Sequence, residues 1–253
     1  MDNLAPQQLF SLAGKVAMIT GAGGGIGFAL ARGFAAAGAR LVLLDRNDAV
    51  IARAKELPDS LALVLDVTEP KAVEEAFSQV LATCGRLDIL VNNAAIIVRK
   101  PFLDLSLEEW RNVIDTNLTA YFVFAQRAAK AMIANGSGRI INIGSIMGHV
   151  SRPMLVPYVS AKGAVAALTR AIAADLAGSG ITCNTLAPGY TATEFAMASD
   201  RSFHDFVADW APARRWGKPE DLCGAALLLA SEAGTYINGQ VIYVDGGFTA
   251  VTK

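Results

Sequence analysis

The chain alternates between short, nearly unbroken apolar runs and longer segments whose apolar residues recur every three or four positions. Runs at residues 14–20, 40–45, 61–65, 87–92 and 138–143 lack the polar alternation of a half-exposed strand. That pattern predicts strands buried on both faces of a parallel sheet. Between them, helical spacing predicts helices at 28–37, 48–57, 70–82 and from 110 to about 134, the last opened by the capping box Ser106-Leu-Glu-Glu109. A further helix starts after Pro157 and runs to about 178, and a helix at 219–231 with a strand at 240–244 closes the pattern. Repeated strand-to-helix units imply an α/β, doubly wound parallel sheet of about seven strands with helices on both faces. No linker, internal repeat or low-complexity tract interrupts it, so residues 1–253 are expected to form one domain.

Composition fits this reading and removes several alternatives. Of 253 residues, 53% are hydrophobic and 18% charged, enough apolar material for a large core. The net charge of −1, with signs interleaved and no basic run, excludes a nucleic-acid partner. Cys84, Cys183 and Cys223 have no metal-ligand spacing, so no metal site is expected and the thiols read as reduced. The first residues carry no signal-peptide pattern and no apolar run reaches membrane-spanning length, which predicts a soluble cytoplasmic protein.

The chemistry clusters where strands end. Gly21-Ala-Gly-Gly-Gly-Ile-Gly27 follows the first strand and precedes a helix. Glycines there let the backbone approach a pyrophosphate, whose charge suits the free N–H groups of a helix N-terminus. Asp45 ends the second strand about 20 residues further on, the spacing of a ribose contact. Its carboxylate favours NAD over NADP, although Arg46 beside it can meet a phosphate. Asp66 and Asn92-Asn93 end the third and fourth strands, and Ser145 follows the fifth. Tyr158 and Lys162 stand four apart in the first, exposed turn of a helix, hence on one face, where a nearby ammonium lowers a phenol's pKa toward a usable acid/base. Asn117 sits inside a predicted helix, where its amide competes for backbone bonds and calls for a reason.

These strings taken together, Thr20-Gly-x-x-x-Gly-Ile-Gly27, Asn92-Asn-Ala94, Asn117, Ser145, Tyr158-x-x-x-Lys162, Asn184-x-x-x-Pro188-Gly189-x-x-x-Thr193 and Val244-Asp-Gly-Gly247, resemble the classical short-chain dehydrogenase/reductase family over nearly the whole chain. The resemblance implies a Rossmann-like single domain and a homotetramer built by pairing the helices at about 107–134 and 158–178. It implies a nicotinamide cofactor held by Gly21, Gly25, Ile26, Gly27 and Asp45, by Asp66, Val67 and Asn93, by Pro188, Gly189 and Thr193, and by Tyr158 and Lys162. It further implies that Tyr158 exchanges the substrate proton and Ser145 stabilises the substrate oxygen. Lys162 would bind ribose and lower the phenol's pKa, and Asn117 would hold a relay water. This chain has Ala95 and Gly144 where the family often has glycine and serine.

Local strings around Leu9–Lys15, Arg99–Phe102, Pro212–Gly217 and Val244–Phe248 resemble the gluconate 5-dehydrogenase subgroup. That implies a secondary alcohol or ketone of an acyclic sugar acid or polyol as the small-molecule substrate. Arg99, His149, Arg152 and Tyr190 are the candidate substrate contacts, and residues 190–217 the candidate lid. The readings weighed beside it are a 3-oxoacyl thioester reductase, which would prefer NADPH, and a cofactor-binding member without turnover.

Overall fold

A computed structural model describes residues 5–193 and 201–252. The strands are β1 (Val16–Thr20), β2 (Arg40–Asp45), β3 (Leu61–Val64), β4 (Ile89–Asn92), β5 (Gly138–Ile143), β6 (Ile181–Pro188) and β7 (Val241–Val244). All pair in parallel, in the order β3-β2-β1-β4-β5-β6-β7, within one sheet. The helices are α1 (Pro6–Leu9), α2 (Gly25–Ala36), α3 (Ala49–Lys55), α4 (Pro70–Cys84), α5 (Leu107–Ile114), α6 (Ala120–Asn135), α7 (Val156–Asp175), α8 (Arg201–Trp210) and α9 (Cys223–Ala230).

The absence of polar alternation has a direct structural meaning. Successive side chains of β1 leave opposite faces of the sheet. Ala17 and Ile19 pack with Leu30, Phe34, Leu41 and Leu229 in one layer, while Val16 and Met18 pack with Phe77, Phe124, Met132 and Ile140 in the other. Both faces of β1 are therefore core. The order reverses between β1 and β4, so the crevice beyond their carboxyl ends is where such a sheet receives ligands.

Two elements differ from the sequence expectation. The helix predicted through 134 is broken: after α5, residues Asp115–Thr119 form a π turn before α6 resumes. Ser106 caps α5 as predicted, its Oγ accepting from the Glu109 amide at 3.1 Å and the Glu109 carboxylate accepting from the Ser106 amide at 2.8 Å. These bonds and the Lys100 ammonium draw the Glu109 carboxyl down to about 2. The segment 219–231 is likewise split, with a 3-10 turn at Pro219–Leu222 leading into α9.

Candidate active site

The carboxyl ends of the strands enclose a cleft of about 1210 Å³. That exceeds an ordinary small-molecule pocket and suits an extended ligand with a second molecule beside it.

At one end lies the glycine loop. Gly21 adopts φ +66°, and a Cβ on Gly27 would lie 2.3 Å from the Gly21 carbonyl oxygen. Only glycine allows the turn and the helix to touch this closely. Asn93 fixes the loop from behind: its Nδ2 donates to the carbonyls of Thr20 and Gly21 at 2.9 and 3.0 Å, and its amide donates to Thr20 Oγ1. Asp45 holds the loop's flank, Oδ2 accepting from the Gly23 amide at 2.9 Å and Oδ1 from the Asn47 amide at 3.0 Å. No side chain caps α2 and no acid stands in its first turn. Its leading N–H groups and dipole therefore remain available to an anion, as a dinucleotide pyrophosphate requires. Ile26, Asp66, Val67, Pro188, Gly189 and Thr193 line the same cleft. Burial raises the Asp66 carboxyl, but bonds from the hydroxyl and amide of Thr68 and the charge of Arg46 hold it below its ordinary value. Arg46 and Arg53 also border this end. The donor and acceptor set fits a dinucleotide.

At the other end, Ser145 follows β5 and accepts from the Met147 amide at 3.0 Å, while Tyr158 enters from the first turn of α7. Burial raises the Tyr158 phenol; a hydrogen bond with Ser145 and the charge of Arg99 work against that rise without cancelling it. The sequence expectation placed Lys162 in an exposed first turn, and here the structure corrects it. Lys162 is only 2% exposed, not at an open helix end. Its Nζ donates to the Ile143 carbonyl at 2.7 Å and to the Tyr121 hydroxyl at 3.1 Å, and lies 5.8 Å from the centre of the Tyr158 ring. Burial draws its pKa down to about 7.

Asn117 is fully buried in the π turn, and both ends of its amide are committed to one residue: Oδ1 accepts from the Ile96 amide and Nδ2 donates to the Ile96 carbonyl, each at 2.9 Å. It braces the strand-end loop that forms the cleft wall, whereas its neighbour Thr116 lines the cleft itself. Sequence reasoning passed over Tyr121 and Ile96. The four-residue step from Asn117 to Tyr121 was the available signal for the first; the second acts through its backbone and left none.

The substrate candidates divide. Arg99 and Arg152 are exposed at the cleft and Tyr190 lines it. The Arg152 guanidinium lies 4.1 Å over the Phe203 ring and bonds Tyr190, which is itself ringed by Phe203, Trp216 and Phe248 at 5.2–5.5 Å. His149 does not face the cleft: the 3-10 turn Ile146–Gly148 buries Ile146 and Met147 and leaves the exposed imidazole 5.6 Å from Tyr243. Met147 takes the place expected of it. Of the candidate lid, residues 194–200 lie outside the described residues. The remainder is tied down by aromatic contacts, with Trp210 Nε1 donating to the Phe248 carbonyl and Trp216 Nε1 to that of His204, both at 3.1 Å.

A glycine loop opening an uncapped helix, a ribose-spaced carboxylate and a hydroxyl pair beside a buried lysine define a dinucleotide-dependent oxidoreductase. A family model described as enoyl-(acyl carrier protein) reductase matches residues 21–249. The gluconate 5-dehydrogenase of Gluconobacter oxydans is 42% identical over 248 residues, covering 95% of this chain and 97% of that protein. The galactitol 2-dehydrogenase (L-tagatose-forming) of Cereibacter sphaeroides is also 42% identical, with the same coverage. A crystal structure of a gluconate 5-dehydrogenase from Burkholderia cenocepacia in complex with NADP and tartrate superposes with a TM-score of 0.92 at 42% identity, covering 98% of this chain and all of that one. The chain belongs to the short-chain dehydrogenase/reductase family and is an oxidoreductase.

Proposed function

We propose that the protein interconverts a secondary alcohol and a ketone on an acyclic sugar acid or polyol, with a nicotinamide dinucleotide as hydride carrier and Tyr158 as the general acid/base. The single observation that carries this reading is the meeting of Ser145, Tyr158 and the Arg99 charge at one end of a cleft whose other end holds the glycine loop and Asp45. The bound nicotinamide supplies or accepts the hydride. Tyr158 takes the hydroxyl proton in oxidation and returns it in reduction, while the single Ser145 O–H donates to the phenolate in the free site and to the substrate oxygen once substrate is bound. Lys162, from its place under Tyr158, would hold the cofactor ribose, and Asn117 keeps the Ile96 wall in position.

Arg99 and Arg152 suit a substrate carboxylate, since guanidinium groups present paired donors to it. The gluconate and galactitol relatives support a polyhydroxylated chain as substrate. For the cofactor, Asp45 favours NAD, yet its oxygens are already engaged by Gly23 and Asn47, and Arg46 and Arg53 border the same end. With the NADP complex of the Burkholderia relative, this moves the reading toward NADP(H), Arg46 meeting the 2′-phosphate. The same proposal includes a homotetramer through the α5–α6 and α7 helices, with Phe122 and Ile133 as exposed apolar residues of α6.

The test is a panel of initial rates with each cofactor against gluconate, galactitol, simple secondary alcohols and, in the reducing direction, an acetoacetyl thioester, alongside light scattering of the eluted protein. Turnover with gluconate or a polyol, NADP leading, and a tetramer mass are expected. Turnover confined to an acetoacetyl thioester would overturn the substrate class.

A further inference from the structure

We infer that Tyr121 is a positioning residue for the reaction: its buried hydroxyl and the Ile143 carbonyl form a cradle that holds the Lys162 amine in place beneath Tyr158 and favours its protonated form. The inference rests on the reading that Lys162 serves the reaction.

Lys162 has lost its water, and a buried ammonium is costly unless its donors are met. Two of its three N–H groups are met, by Ile143 O at 2.7 Å and Tyr121 Oη at 3.1 Å. The Tyr121 hydroxyl in turn donates to Ile143 O at 3.3 Å, closing a triangle of three polar atoms. Tyr121 is 1% exposed, and a phenylalanine would fill the same volume without burying a hydroxyl. Its own phenol cannot compete as an acid/base, because burial and then the charge of Tyr158 raise it well above the ordinary phenol value. It acts as a neutral acceptor.

The cradle is anchored from below. Asn92 on β4 donates to the Tyr121 carbonyl at 3.2 Å and to Asn142 Oδ1 at 2.9 Å, Asn142 donates to Thr169 Oγ1 at 2.9 Å, and Thr169 bonds Thr185 at 2.7 Å. Thr169 lies two turns beyond Lys162 on the same face of α7. Both halves of the cradle are thus fixed to one sheet. The titratable groups that face Lys162 are Tyr158 on its own helix and Tyr121 on α6; Arg99 and Arg152 line the same cleft, and among the described residues no carboxylate pairs with it.

The test compares the protein with Tyr121→Phe by NMR titration of ¹³C-lysine, the Lys162 signal being assigned by its absence in Lys162→Met. Loss of an acceptor for the charged form should lower the Lys162 midpoint by about one pH unit. With less positive charge below Tyr158, the acid limb of kcat/KM for alcohol oxidation should move to higher pH. Should the variant fail to fold, 3-fluorotyrosine at position 121 keeps the ring, weakens the hydroxyl as an acceptor and strengthens it as a donor to Ile143 O, and a smaller fall in the same direction is expected. A Lys162 midpoint and a pH limb that coincide with those of the parent would overturn the inference. Because the titration needs neither cofactor nor substrate, a shifted Lys162 in a protein that oxidises no alcohol would refute the proposed activity and leave the cradle standing.

Discussion

The two ends of the cleft are built from different material. At the cofactor end the backbone makes the site: a turn at Gly21, the amide of Gly23 and the open N-terminus of α2, braced by Asn93 and Asp45. At the reaction end side chains make it, and burial sets their protonation. Tyr158 is raised, Tyr121 raised further, and Lys162 lowered to about 7. The first end is sensitive to shape and the second to pH. The two cations near the phenol divide in the same way: Arg99 is exposed at the cleft, whereas Lys162 is buried and bonded to Ile143 and Tyr121.

If that division holds, shape changes at the cofactor end should be the most damaging. Gly27→Ala places a methyl 2.3 Å from the Gly21 carbonyl oxygen. Cofactor affinity should fall by about ten-fold or more and stability by about 1–3 kcal/mol, read by NADPH fluorescence and urea unfolding. Retained affinity would mean that the loop can open without cost. At the reaction end, Arg99→Ala should lower kcat/KM for a sugar acid by about ten- to a hundred-fold, the worth of a charge-assisted bond. It should cost far less with a neutral polyol, apart from a shift of the acid limb to higher pH; equal losses on both substrates would remove Arg99 from carboxylate recognition.

Asn117→Ala sharpens the comparison from between the two ends. It strips Ile96 of partners for both backbone groups and should destabilise the fold by about 2 kcal/mol, seen in the denaturation midpoint, with turnover falling more than cofactor binding. The smallest effect concerns pH. Lys162 has its value lowered from 10.5 to about 7 on folding, so between those values the unfolded chain holds a proton that the folded chain has released. Its contribution to stability is therefore poorest below 7 and improves as pH rises toward 10.5. Lys162→Met should flatten this rise, measured as urea midpoints at pH about 7 and about 9. An unchanged slope would show that Lys162 is not buried as described.

The comparison also explains what was legible in the sequence. Six of the seven strands and the cofactor end were readable because apolar runs, glycine spacing and strand-end acids are local signals; β6 was not placed, since its Thr182, Asn184 and Thr185 interrupt any apolar run. Asp45, Asp66 and the loop residues Gly21, Gly23, Gly24, Gly25 and Ile26 all reach the cleft. The reaction end was readable only in its parts. Tyr158 and Ser145 meet as expected, but whether Lys162 is exposed depends on α6, far away in the chain, and the Tyr121 hydroxyl that receives it carries no motif. Asn117 stood out as an unfavourable helix residue, and the reason is a π turn together with a backbone partner at Ile96, neither of which side-chain periodicity encodes. His149 was misplaced because four residues past Ser145 suggested proximity, whereas the intervening 3-10 turn reverses its direction. Burial pushes the Cys183 thiol up to about 12.

The measurement closest to the central claim is the rate of NADP- or NAD-dependent oxidation of gluconate or galactitol by Tyr158→Phe, together with its cofactor affinity. The account predicts that cofactor binding survives while turnover falls by about 10²–10⁴-fold, the worth of a general acid/base. A variant that oxidises the substrate at the parent rate would show that the proton leaves by another route.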